Sequence, residues 1–349
     1  MRVLRKLLLL TLPALVILAV VGELVFRFVI PAAEWPYATF DADAQLLKYD
    51  TRGPRSGVLT VGPFAESRSR WRINDEGWSS AIEYPRPHGP LPRVAIIGDS
   101  YVEAFHVDPD RSAGALVRRA LAGRAEVYTF GMSGAPLSQY LNMARYAARR
   151  FAPDVFVINV VQNDFAESLR AVVPRPEFLQ LEVRGDAVSE AAARGYAVSA
   201  SRRFVRHSAV LRWLIRNAKI GHVERLFDRH RVAANIDVDV ADAHRREIEL
   251  GVRYVVSRLR AENPRAEILF VMDAPRDAMY AGAPSPVQWL TELLRDETAR
   301  AGCGFVDLTP AFSAEWARSH QRFEFANDWH WNERGQRVAG DAIVAALRF

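Results

Sequence analysis

From residue 93 onward the chain alternates between short apolar runs and helical patterns, and that alternation narrows its fold more than any other feature. The runs are RVAIIG, AEVYTFG, DVFVINVV, EILFVMDA and GFVDL. Rich in Val, Ile and Phe, they have the length and composition of strands buried on both faces of a parallel sheet. The segments between them read as helices. SAGALVRRALAG follows the first run, and PLSQYLNMARYAARRF carries a proline at a first-turn position. ADAHRREIELGVRYVVSRLRAEN sets Ile248, Val252, Val255 and Leu259 on one face at helical spacing. SPVQWLTELLRDETARAG ends in Gly302, and NERGQRVAGDAIVAALRF opens on Asn332 as an N-cap. Strands alternating with helices predict a doubly wound, three-layer α/β/α domain over residues 93–349. The stretch from about 165 to 240 interrupts the alternation and is expected to be a helical insertion over one end of the sheet. With 349 residues, half of them hydrophobic and a quarter charged, the chain is globular and large enough for one big core or two ordinary ones.

The N-terminus has a different logic. Arg2, Arg5 and Lys6 precede an uncharged apolar run from Leu7 to Gly22, which can continue past Glu23 with Arg27 snorkelling. Basic residues on that flank predict a membrane anchor over residues 1–30, with a cytoplasmic N-terminus and an extracytoplasmic body. Cleavage as a signal peptide is the alternative, with VVG the nearest small-x-small site. Residues 31–92 form an extension rich in Pro, Gly and charge, with SGVLTVG and RWRIN as short strands and NDEGW as a turn. A single cysteine, Cys303, excludes an internal disulfide and does not decide the compartment.

The net charge is +5, and residues 202–231 more than account for it, with nine Lys or Arg against Glu224 and Asp228. Interleaved with Phe, Val, Leu, Ile and Trp213, the segment reads as amphipathic helix. A solvated basic face is the plain reading; contact with anionic lipid or an acidic polymer is the functional one. Nothing in the chain resembles a nucleic-acid-binding motif.

Three polar clusters follow the first three apolar runs, where open parallel sheets bind ligands. Gly98-Asp99-Ser100 comes directly after VAII and shortly before a helix, so the Ser100 hydroxyl projects into the crevice and its backbone N–H can serve an oxyanion. YTFGMSGAPLSQ offers a glycine N–H open to close approach. VVQNDF supplies Asn163, an uncharged side-chain donor suited to an oxygen that becomes negative only in the transition state. The base lies in FANDWHWNERG. Asp328 and His330 are two apart, so on an extended segment both side chains share a face. A carboxylate beside an imidazole fixes its tautomer and stabilises the imidazolium. Ser100, His330 and Asp328 therefore make a workable nucleophile, base and orienter.

These blocks resemble the SGNH (GDSL-type) hydrolase superfamily, whose four blocks contribute Ser, Gly, Asn and His; the similarity runs from about Ile73 to Phe349. The ending DWHWNERG is similar to that of bacterial membrane-associated members, and alginate-type exopolysaccharide O-acetyltransferases share the Asp-x-His pairing. The resemblance implies a flavodoxin-like sheet, with Ser100 as nucleophile and Ser100, Gly134 and Asn163 as the oxyanion hole. Within the glycine block Gly134 matches better than Gly131. His330 would be the base and Asp328 its orienter. It also implies esterase or acyltransferase activity on ester-linked acyl groups, acetyl on an extracytoplasmic polysaccharide foremost. Two positions depart from the common pattern. Ala104 stands where many members have glycine, and Asn327 stands where many have the aspartate three before the histidine.

Other readings compete. The eight histidines are scattered with no His-x-x-x-His, so no metal and no cofactor is expected. His106, Asp108 and Asp110 are read as loop and cap residues, and Asp307 as a strand-end residue. Phe323, Phe325 and Trp331 are read as core. So is Trp329 by default, with a wall for a sugar ring or acyl chain as its functional alternative. A catalytically silent glycan-binding or assembly subunit on the same fold stays open beside the enzyme.

Overall fold

The computed structural model describes residues 7–218, 231–326 and 328–349. Arg2, Arg5 and Lys6, residues 219–230 of the basic segment and Asn327 lie outside them. Helix α1 (Leu12–Leu24) continues through wide turns at both ends, so that Leu9–Val29 is one 21-residue helix of mean hydropathy 2.5 with none of it buried. Among the described residues it is the one helix long and apolar enough to cross a membrane, and it fits an anchor or a signal sequence equally. Two hairpins follow, β1 (Ala38–Asp41) with β2 (Leu46–Tyr49), and β3 (Ser56–Val61) with β4 (Ser67–Arg72). NDEGW is the expected turn, with Gly77 at φ +85°.

The regular part then runs β5 (Arg93–Gly98), α2 (Ser100–Glu103), α3 (Ala113–Ala120), β6 (Glu126–Gly131), α4 (Gln139–Phe151), β7 (Val155–Val160) and α5 (Asn163–Glu167). The insertion holds a hairpin, β8 (Gln180–Arg184) with β9 (Ala187–Ala191), and the helices α6 (Ala200–His207) and α7 (Ala209–Arg212). A two-residue hairpin, β10 (Val232–Ala233) with β11 (Ile236–Asp237), and α8 (Val238–Ala243) close it. After α9 (Arg245–Glu262) come β12 (Glu267–Met272), α10 (Arg276–Ala281), α11 (Gln288–Arg300), β13 (Gly304–Asp307) and α12 (Thr309–Ser319). The chain ends with β14 (Glu324–Phe325), β15 (Asp328–Trp331) and α13 (Glu333–Ala346).

All five apolar runs are strands of one parallel sheet in the order β13-β12-β7-β5-β6. In chain order that is the flavodoxin-like 2-1-3-4-5 arrangement, with its switch point between β5 and β7. Alternate residues of these strands feed two cores. Ile97, Phe156 and Phe270 pack with Tyr140 of α4, Val255 of α9 and Leu290 of α11. Ile96, Val157 and Val271 pack with Val117 of α3, Phe312 of α12 and Ile343 of α13. Helices thus cover both faces, which is why the strands read as continuous apolar runs. The extension joins the first core through Leu46, Trp71, Ile73 and Trp78.

Several local expectations change. Pro136 precedes α4 by three residues and is not in its first turn. The pattern from residue 240 is two helices, α8 and α9, parted at His244. The insertion read as helical also carries hairpins, and its basic segment breaks at Ser208, which caps α7. Helices α10 and α12 had no reading in the sequence. Asn332 does cap α13, accepting from the backbone of Arg334 and Gly335.

Candidate active site

Ser100 follows β5 directly, at the sheet's switch point. Asp99 turns the chain there: its carboxylate accepts from the Tyr101 N–H (2.9 Å) and caps α2. The turn sits tightly on the end of β6, since a Cβ on Gly131 would lie 2.2 Å from the Glu103 nitrogen. Ser100 is the first residue of α2, where a helix has no internal acceptor for its N–H.

His330 comes from the other end of the chain. On strand β15, as the two-residue spacing required, Asp328 and His330 project together. The His330 Nε2 lies 2.7 Å from Ser100 Oγ, while its Nδ1 is hydrogen-bonded to Asp328 Oδ1. The same carboxylate oxygen accepts the His330 backbone N–H at 3.0 Å. These interactions hold the Asp328 carboxyl well below the usual carboxylate range against its burial, so it stays charged.

A buried polar network fixes β15 to the serine turn. The Trp329 carbonyl accepts from Tyr101 Oη at 2.8 Å and from Arg276 Nη2 at 2.7 Å. Arg276 is itself held by Asp273 (2.6 Å) and Glu324 (3.2 Å), and Trp331 Nε1 donates to Asp273 at 3.0 Å. Every member of this set is nine-tenths or more buried except Trp329, whose side chain is 44% exposed. Trp329 therefore lends its backbone to the scaffold and its ring to the surface.

Gly134, after β6, has φ +76°, and a Cβ there would lie 3.1 Å from Arg175 Nη1. Only glycine meets both conditions comfortably. Asn163, after β7, opens α5; its Oδ1 accepts from Asn235 Nδ2 at 2.8 Å. Its amide nitrogen faces the other way, towards Glu167, whose charge it helps to hold. The three blocks thus lie at the carboxyl ends of three adjacent strands, in the spatial order β7-β5-β6.

Three buried carboxyls and the half-buried Glu167 lie beneath or beside this turn. Burial pushes Asp99 up to about 6 and Glu103 up to about 7, and raises Asp164 and Glu167 as well. Asp99 Oδ2 lies 3.2 Å from Ser100 Oγ, so it competes for the hydroxyl proton when ionised.

Some contributors were not singled out from sequence. His106, read as a loop residue, stacks on His330. Asn235, Tyr101, Arg276 and Glu103 carry no local signal, because each meets a partner on an element distant in sequence, from 54 residues for Glu103 with Tyr49 to 228 for Tyr101 with Trp329. Asp307 keeps its strand-end reading, capping Thr309 N at 2.9 Å and pairing with Arg295. Asp108 instead bonds the Arg70 N–H at 2.7 Å. His106, Asp328 and His330 present ligand-type atoms within 4.8 Å of one another. His330 uses both ring nitrogens on Ser100 and Asp328, so binding an ion there would break the serine-to-aspartate chain.

The chain is similar in fold to TesA (13% identity, 73% of this chain and 98% of that one, TM-score 0.42). It is also similar to a carbohydrate esterase family 2 enzyme with a carbohydrate-binding domain from Corynascus thermopiles (16%, 77% and 69%, 0.38). A third likeness is to a two-domain esterase, CEX, active on acetylated mannans (9%, 73% and 48%, 0.40). All three are distant. No curated protein matches the chain. The GDSL-like lipase/acylhydrolase family does match, over residues 96–338. That span takes in all the blocks from the end of β5 to α13, and the chain belongs to this family of hydrolases acting on esters.

Proposed function

We propose that the protein is a serine-dependent esterase or O-acyltransferase, held at the extracytoplasmic face of a membrane by its N-terminal helix. The observation that carries the reading is the unbroken hydrogen-bond chain from Ser100 Oγ through His330 to Asp328. In this reading His330 Nε2 takes the hydroxyl proton as Ser100 attacks an ester carbonyl, and Asp328 stabilises the imidazolium. The developing oxyanion is met by the N–H groups of Ser100 and Gly134 and by one N–H of the Asn163 amide, its other hydrogen turned to Glu167. One such donor is worth about 10²–10³ in rate. His330 then returns the proton to the leaving alcohol, and water or an acceptor hydroxyl releases the acyl group from Ser100.

The exposed ring of Trp329 serves as a wall for the sugar or acyl part of the substrate, for which acetyl esters of an extracytoplasmic polysaccharide are the leading candidates. No cofactor takes part. The working organisation is an anchor over 1–30, an extension over 31–92 and the catalytic body over 93–349. Retention of the anchor is supported by how its end is used. Glu23 accepts from Ser208 Oγ and from the Ala209 and Val210 N–H groups, and Phe26 stacks on Trp213 at 4.3 Å.

The test is covalent labelling by a fluorophosphonate. The parent chain labels and Ser100→Ala does not; absence of label on the parent, with the fold intact, would overturn the enzymatic reading in favour of a silent binding subunit. Chromogenic acetyl ester supplied with acetyl-acceptor glycans then separates free acetate, from hydrolysis, from acetylated glycan, from transfer.

A further inference from the structure

Between the extension and the insertion lies a cavity of about 750 Å³ that the proposed chemistry does not use. Its inner end is formed by Met132 and Ser133, immediately before Gly134, and by Arg175, whose guanidinium covers that glycine. Its outer wall is α6 and the turn after α7, the part of the insertion clasped to the end of the apolar N-terminal helix. Apolar residues in the lining are Leu47, Phe178, Val205 and Ile215. Among them stand five arginines, at 175, 202, 206, 212 and 216, against the single acid Glu177.

These arginines are poorly neutralised. Arg175 pairs with Glu167 at 2.6 Å, and Arg212 comes only within 4.0 Å of Glu34. Among the described residues Arg206 and Arg216 pair with no carboxylate. They lie instead over aromatic rings, Arg206 at 4.1 Å from the Tyr37 centroid and Arg216 at 4.7 Å from that of Trp35. Aromatic faces hold a guanidinium in place without cancelling its charge. Burial, with repulsion from Arg202, works against both charges. An under-neutralised set of guanidiniums, two of them braced on aromatic faces, is what a phosphate needs, because each offers forked donors to its oxygens.

The position selects the source. Phe28, Val29, Phe204 and Ile215 are exposed near the helix end and the cavity mouth, an apolar rim that suits a bilayer surface. We infer that the cavity binds the phosphate-bearing headgroup of a bilayer lipid, with part of its chain against Leu47, Phe178, Val205 and Ile215. The inference goes beyond the proposed function: the lipid seats the body on the bilayer beside the site and is not the ester that Ser100 attacks. A soluble anionic polysaccharide would need the charge but not the apolar lining residues or the place beside the apolar helix.

The experiment uses the full chain in detergent micelles, offered phosphatidylglycerol or phosphatidylcholine and read by native mass spectrometry for retained lipid. One phosphatidylglycerol per chain is expected, with at least tenfold preference over phosphatidylcholine. The preference falls about tenfold in Arg206→Gln/Arg216→Gln and also in Val205→Trp, which fills the cavity and keeps the charge. Thermal melts of both variants establish that they fold. Equal retention of the two lipids, or preference unchanged in both folded variants, overturns the inference. So does a soluble polygalacturonate fragment that displaces phosphatidylglycerol at lower concentration than inorganic phosphate does. Binding is measured in Ser100→Ala as well, so that loss of lipid preference and loss of fluorophosphonate labelling are read independently.

Discussion

The imidazole of His106 lies flat on that of His330, with ring centroids 3.9 Å apart and planes within 11° of parallel. His106 is only 8% exposed, and its Nε2 is 3.7 Å from Asp328 Oδ2, the carboxylate oxygen that His330 leaves over. One carboxylate therefore faces two histidines, and the inner ring sets the plane in which the outer one must swing. His106→Ala is expected to lower kcat for an acetyl ester roughly ten- to a hundredfold with little change in KM, since misplacing a reacting group by about 1 Å costs rate of that order. His106→Phe keeps a flat ring in the same place and recovers most of the loss. A role in packing alone would lower stability in both variants and leave kcat of the folded fraction untouched.

Asn163 and Asn235 form a second pair with a directional consequence. The Asn235 amide donates to Asn163 Oδ1, and this fixes which end of the Asn163 amide is nitrogen. Asn235 itself sits in the β10–β11 turn at φ +66°, a conformation asparagine tolerates better than most residues. Asn163→Ala is expected to cost about 10²–10³ in kcat/KM through the lost oxyanion donor. Asn235→Ala leaves the donor present but free to flip, and should cost roughly tenfold or less. Equal losses in the two variants would assign Asn235 a direct role; no loss in Asn163→Ala would remove it from the oxyanion hole.

Ala104 occupies the left-handed region, φ 56° and ψ 38°, just after the four residues of α2. That conformation costs a non-glycine residue about 1–2 kcal/mol. Glycine relieves it but adds about 0.5–1 kcal/mol of backbone entropy and gives up a buried methyl worth about 0.8 kcal/mol. The opposing effects nearly cancel, so Ala104→Gly should shift stability by less than about 1 kcal/mol. Ala144, equally buried inside α4, has no strain to relieve, and Ala144→Gly should cost about 1–2 kcal/mol more by denaturant melt. Equal costs at the two positions would mean the left-handed turn carries no strain.

What the sequence made legible follows from distance along the chain. The five strands were readable because double-sided burial forces a local composition, and Asn332 because a cap is a contact with its own neighbours. Ser100 and the Asp328–His330 spacing were readable for the same reason: strand-end position and two-residue alternation are local. Arg276 was not. Its value lies in meeting Tyr101 and Trp329, 175 and 53 residues away, and no local pattern encodes that meeting. His106 reads locally as a loop residue because its partner is on another element 224 residues downstream. The composition of the basic segment reads as amphipathic helix, whereas Ser208 breaks it by capping a new helix against the end of the N-terminal one.

Glu103 gives the pH dependence that separates burial from pairing. Its carboxylate accepts from Ser133 Oγ, Tyr49 Oη and the Ser133 N–H (3.0 Å), and the field of His330 reaches it. All of these favour the charged form, yet burial outweighs them and pushes the group up to about 7 from the usual 4.5. A carboxyl whose pKa is higher folded than unfolded adds stability that is complete below about 4.5. That stability is lost as the pH rises through about 7. Glu103→Gln keeps the shape, accepts from Tyr49 and Ser133 through Oε1, and donates to Ser133 Oγ through its amide. The variant should match the parent near pH 5 and exceed it at pH 7.5, by an amount on the order of 2–3 kcal/mol at most. Asp99, pushed up to about 6, has the same sign but is common to both chains and cancels in the difference. Asp328 has the opposite sign and acts only at much lower pH. Thermal melts of both chains from pH 5 to 7.5 decide it: curves that diverge towards high pH match this account, and parallel curves would mean that Glu103 is already charged throughout.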